Sequence, residues 1–141
     1  MKKIIILSLL FFGVSFSAFS QKPMIGLSEK NIIRINRAEF GIHQKFEKQH
    51  FLEDGFWTLH TIYDEVICMY YFNYDEEENF LFSMITDDYK KARQLYEAIE
   101  EKHISINETT FMEERSGFYI KFTKSDNGNI IIIWSIEYLK D

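Results

Sequence analysis

Phe118-Tyr119-Ile120-Lys121-Phe122-Thr123-Lys124, then Ser125-Asp126-Asn127-Gly128-Asn129, then Ile130-Ile131-Ile132-Ile133-Trp134-Ser135-Ile136, is the stretch on which the fold turns. Two runs rich in aromatic and β-branched residues flank a short polar segment holding a glycine, which is the pattern of a β-hairpin. Two registers compete. A three-residue loop, Asp126-Asn127-Gly128, sets Phe122 opposite Ile132, Ile120 opposite Trp134 and Phe118 opposite Ile136. A two-residue loop, Asn127-Gly128, pairs Lys121 with Trp134 and Ile120 with Ser135. A slip of one residue exchanges the two faces of a strand. The first register is selected because it gathers the large apolar side chains and leaves glycine in the left-handed position.

Working backward along the chain, Arg115-Ser116-Gly117 has the same form and brings Met112 opposite Ile120. Met112, Ile120 and Trp134 then make one row across three strands, facing a helix. These strands are read over residues 109–114, 118–124 and 130–139. The row's neighbours Phe111, Tyr119, Lys121, Ile131 and Ile133 point to the other face. They form a mixed apolar and aromatic strip of the kind that meets a partner when uncovered.

The helix before these strands is capped by Asp87 or Asp88. Tyr89, Ala92, Leu95, Tyr96 and Ile99 recur at helical spacing, and charged residues occupy the rest of its circumference as far as His103. Earlier still, residues 56–63, 66–72 and 79–85 read as strands, and the pattern turns to strands from Lys45. Leu52 and Phe56 flank a three-residue connection, Glu53-Asp54-Gly55. Asp64-Glu65 joins two strands in a register that sets Tyr63 opposite Val66 and Thr61 opposite Cys68. Ser28 caps a first helix that carries Ile32, Ile33 and Ile35 through about Glu39. The fold class predicted is α+β: an antiparallel sheet of two strand meanders with one or two helices packed on one face, in the order helix, strands, helix, strands.

The chain begins with Lys2 and Lys3, an uncharged run from Ile4, and Ala18-Phe19-Ser20 before Gln21. A positive start, a short apolar core and a small-x-small exit predict a secretory signal peptide over residues 1–20, cut between Ser20 and Gln21. Residues 21–141 then form a single domain, secreted or periplasmic. No membrane insertion is expected once the leader has gone, and with Pro23 just past the junction the first mature residues are expected to trail. Sixteen Lys and Arg face 22 Asp and Glu, a net charge of −6; loss of Lys2 and Lys3 takes it to −8, with 14 basic and 22 acidic residues. Such a balance repels phosphate backbones and anionic lipid heads. Nucleic acid is therefore excluded as a partner.

Chemistry is sparsely signalled. Cys68 is the only cysteine, so no internal disulfide forms, and its apolar surroundings in sequence suit a small buried thiol. Cys68 and His60 would be a nucleophile and its base only if a register slip set them side by side. His43, Glu47 and His50 miss the ligand spacing of zinc sites. Asp75-Glu76-Glu77-Glu78 lacks the alternation and the glycine of a calcium loop. Asn107-Glu108-Thr109 fits a glycosylation acceptor pattern. No catalytic residue, metal site or cofactor is assigned. The reading is an exported, non-catalytic module that binds a protein or peptide through Phe111, Tyr119, Lys121, Ile131 and Ile133. A small exported hydrolase assembled only in three dimensions is the alternative, and self-association through strand edges is a third. The oligomeric state is left open.

Overall fold

The last hairpin forms in the register chosen from side chains: Ile120 pairs with Trp134 and Phe122 with Ile132. Gly128 takes φ +89° in its loop, and its N–H donates to the Ser125 carbonyl at 3.0 Å. The computed structural model describes residues 24–140. The leader read over residues 1–20 and the junction Ser20/Gln21 lie outside the described residues.

The elements run α1 (Glu29–Phe40), β1 (Glu47–Phe51), β2 (Phe56–Tyr63), β3 (Val66–Asn73), β4 (Leu81–Thr86), α2 (Tyr89–Lys102), β5 (Ile104–Ser105), β6 (Thr110–Met112), β7 (Tyr119–Lys124) and β8 (Ile130–Ser135). The strands form one antiparallel sheet in the order β1-β2-β3-β4-β8-β7-β6-β5. The protein is thus an α+β domain. Each half of the sheet is a four-strand meander preceded by a helix, and the halves meet where β4 pairs with β8, Phe82 opposite Trp134.

The helices begin where the sequence offers caps. Ser28 accepts from the Asn31 N–H, and Asp88 accepts from the N–H groups of Lys90 and Lys91 at 3.0 and 3.2 Å, satisfying donors that no helical turn can reach. Ile32 and Asn36 are the buried pair on α1. Ala92, Leu95 and Ile99 are their counterparts on α2. Asn36 donates to the Tyr70 hydroxyl at 3.2 Å, and Tyr96 lies edge-on to Phe111 and Phe122.

Register sorts the strand residues onto two faces. Leu59, Tyr70, Phe82, Trp134, Ile120 and Phe111 form one row. Cys68, Met84, Ile132 and Phe122 form the next row on the same side. These residues make up the apolar core together with Ile32, Leu95 and Ile99 from the helices. They define the first face.

Three expectations need correction. Phe111, not Met112, pairs with Ile120. The β6–β7 connection carries one residue more than its sequence suggested, closing through the Gly117 N–H to the Glu113 carbonyl at 2.8 Å. That extra residue flips the strand, and Phe111 becomes fully buried on the first face. The β1–β2 connection is longer in the same way: Phe51 pairs with Phe56, and the Gly55 N–H donates to the Phe51 carbonyl at 3.0 Å. Third, β8 stops at Ser135, so Ile136 never opposes Phe118. Ser135 Oγ instead donates to the Glu137 carbonyl at 2.6 Å and turns the chain off the sheet. The first mature residues expected to trail, 21–23, lie outside the described residues; from Met24 the chain is packed against the domain. Met24 and Ile25 are buried, and Asn79 holds this segment by donating to the Met24 carbonyl at 2.7 Å and accepting from the Leu27 N–H at 2.8 Å.

Candidate functional site

The second face of the sheet carries three rows. Across its middle run His60, Met69, Ser83, Ile133, Lys121 and Thr110. On one side lie Thr58, Tyr71, Leu81, Ser135, Tyr119 and Met112. On the other are Ile62, Ile67, Ile85, Ile131 and Thr123. No strand residue of this face belongs to the core cluster. Tyr71, Leu81, Ile85, Ile131, Ile133 and Tyr119 are half-buried, while Ile62 is 64% exposed.

Small and large side chains alternate here. Ser83 and Ser135 are buried between the bulkier residues, and the Ser83 hydroxyl lies 3.4 Å from that of Tyr71. The result is an apolar surface with a few hydroxyl groups set into it, the composition that ligand-binding surfaces generally show. Lys121 is also buried. Its Nζ donates to the Leu139 carbonyl at 3.1 Å, beneath the segment that leaves β8.

Of the five residues expected to form a strip, Tyr119, Lys121, Ile131 and Ile133 share this face by register. Phe111 does not, and Met112 takes its place beside Tyr119. Sequence reasoning missed the contribution of β2–β4: Tyr71, Leu81, Ile67 and Ile85 continue the surface across the seam. The signal was present in the period-2 alternation of those strands, which places them on the side away from Tyr70 and Phe82.

The reactive groups stay apart. Thr61 opposes Cys68 and His60 opposes Met69, so histidine and thiol lie on opposite faces. Burial pushes the Cys68 thiol up to about 12. His60 contacts the Thr58 hydroxyl; burial lowers its pKa, and Glu47 opposite it on β1 acts in the other direction. His50 is stacked between Trp57 and Tyr74 and bonds the Tyr74 hydroxyl at 2.9 Å, on the face opposite Glu47. His43 lies in an exposed loop. Among the described residues, no three His, Cys, Asp or Glu side chains converge as a metal site. Asp75-Glu76-Glu77-Glu78 is an exposed connection. Asn107 Oδ1 accepts from the N–H groups of Thr109 and Thr110 at 2.9 and 3.0 Å, a turn that starts β6.

A second concavity, an open groove of about 490 Å³, runs between α2 and the β7–β8 hairpin, lined by Tyr89, Arg93, Tyr96, Phe122, Lys124 and Ile130. Its two tyrosine hydroxyls are committed to main-chain carbonyls of Gly128 and Glu108. Among the described residues, no helix is long and apolar enough to cross a membrane. Comparison with protein-family models, curated proteins and solved structures finds no match to this chain.

Proposed function

We propose that the chain is exported to the periplasm or the cell exterior and that its domain is a non-catalytic module binding a protein or peptide through the second face of the sheet. In this reading α1 and α2 both cover the first face, so the second is left for a partner. One observation carries the reading: a continuous apolar surface spans both meanders, yet contributes nothing to the core cluster. Uncovered apolar surface of that extent is costly to keep unless something binds it. Lys2, Lys3 and the apolar run after them support export. The acidic balance of the remaining chain disfavours nucleic acid and anionic membrane surfaces.

Two other readings have less support. A hydrolase would need an accessible nucleophile beside His60; the Thr58 hydroxyl that contacts it is fully buried, and Met69 stands between His60 and Ser83 in their row. Self-association through strand edges would use β1 or β5. Yet β5 has two residues, and β1 carries Glu47 and Lys48, the short or charged edges that resist pairing.

The test is a peptide-display selection against the chain lacking residues 1–20. Selected peptides should bind it, and Ile131→Asp should weaken binding at least about tenfold while the near-ultraviolet signal of Trp134 persists. Binding that is indifferent to Ile131→Asp would place the surface elsewhere.

A further inference from the structure

We propose that the open groove between α2 and the β7–β8 hairpin binds a small aryl carboxylate, its acid held by Arg93 and Lys124 and its ring body lodged against Tyr96 and Phe122. The site stands apart from the surface proposed for a peptide, because Phe122, Lys124 and Ile130 fall on the first-face side by register. Tyr89, Ala92, Arg93 and Tyr96 line the groove from α2, a spacing that makes one helical stripe two turns long. Its two end residues are tied across to the loops. The Tyr89 hydroxyl donates to the Gly128 carbonyl at 2.8 Å, and the Tyr96 hydroxyl donates to the Glu108 carbonyl at 2.7 Å. Seven helical residues separate these ties, a span of about 10 Å. A peptide running through the groove would have to break one of them, whereas a molecule of one or two rings fits between. The groove's volume of about 490 Å³ suits an occupant of that size.

Charge decides the class of molecule. The chain's net charge is −6, yet among the described residues the groove's lining holds Arg93 and Lys124 and no Asp or Glu. Lys124 Nζ stands 5.3 Å from the centroid of the Tyr89 ring. Arg93 follows Tyr89 by one helical turn on the same stripe, so both cations flank the Tyr89 end. The other end is apolar, with Tyr96 edge-on to Phe122 at a centroid distance of 5.0 Å. The hydroxyl protons of Tyr89 and Tyr96 are spent on carbonyls, and Thr109 Oγ1 donates to Asn107 Oδ1 at 3.1 Å. The two cations are therefore the groove's strong donors. Glu97 Oε1 lies 3.8 Å from Arg93 Nε, both side chains mostly exposed, and so loose a surface pair is readily exchanged for a ligand carboxylate. A gradient from two cations to an aromatic wall matches an acid carried on a flat apolar body, with charge-assisted bonds at one end and ring packing at the other.

Equilibrium dialysis of the protein against 2-naphthoate and its neutral isostere 2-naphthamide tests the site. The acid should bind with a dissociation constant of about 0.1 mM, and the amide about tenfold more weakly. Lys124→Glu should weaken the acid at least about tenfold and leave the amide unchanged. Arg93→Gln should weaken the acid about threefold, whereas Glu97→Gln, which releases Arg93, should tighten it about twofold. All three side chains are exposed, and the near-ultraviolet signal of Trp134 reports that each variant is folded. Equal affinities for acid and amide, or an acid whose binding ignores Lys124→Glu, would overturn the assignment. Retention of an acidic hexapeptide by a protein that fails to retain 2-naphthoate would overturn it too, by making the occupant a peptide.

Discussion

Cys68 lies in the first-face row with Met84 and Ile132, so its thiol has no water to stabilise a thiolate. The proton is held in the folded chain to about pH 12 and is lost near 9 once the chain unfolds. Over that window the unfolded state binds fewer protons, so stability falls as pH rises. Tyr70, raised by burial as well, adds to the fall at higher pH. The denaturant midpoint should drop between pH 8 and pH 10.5 in the parent chain and drop less in Cys68→Ala; identical slopes would mean the thiol is solvated. Asn79 is the polar counterpart. Its side chain joins the segment before α1 to the start of β4 through bonds to Met24, Leu27 and Leu81. Asn79→Ala leaves those buried groups unpaired and should cost about 2–3 kcal/mol, read from the urea midpoint.

The β2–β3 turn sets conformational cost against electrostatics at the scale of an element. Asp64 and Glu65 both take positive φ, +49° and +66°, where a side chain costs about 1 kcal/mol. Lys91 on α2 reaches across to Asp64 at 3.0 Å, and its hydrogen bond to Asp64 raises the lysine pKa. Replacing Glu65, the residue farther from Lys91, with glycine removes strain without removing that pair. Glu65→Gly should therefore stabilise the domain by about 0.5–1 kcal/mol, seen as a higher melting temperature.

Legibility follows the same division. The β7–β8 register was readable because Ile120, Phe122, Ile132 and Trp134 agree only one way, and α2 was readable because Asp88 and its apolar spacing agree. The β6–β7 register was not: Phe111 and Met112 are both apolar, and a loop ending in glycine gives no count of its own residues. That single ambiguity moved Phe111 into the proposed strip. The two-residue β5 and the turn at Ser135 leave no periodicity long enough to read. As for the site, the alternation of β7 and β8 exposed half of it, whereas its continuation through Tyr71, Leu81 and Ile85 required knowing that β4 and β8 are neighbours.

At the scale of the whole molecule, the two meanders are joined by the pairing of β4 with β8, and Phe82 and Trp134 pack across it with ring centroids 5.1 Å apart. Trp134→Ala should cost about 3–5 kcal/mol and lower the stability of both halves together, so that probes in α1 and α2 report one shared transition. Separate transitions would show that the halves are independent units. The seam also decides which way the molecule can face. Met24 is bonded to Asn79, close to the Leu81 end of β4, and Ser135 pairs with Leu81, so the described chain enters and leaves the sheet at the same rim. The Asp64-Glu65 and Asp126-Asn127-Gly128 tips crown the opposite rim, beside Thr86 and Ile130. A tether fused before Met24 would therefore hold the domain upright, with both hairpin tips projecting outward as ready positions for grafted epitopes.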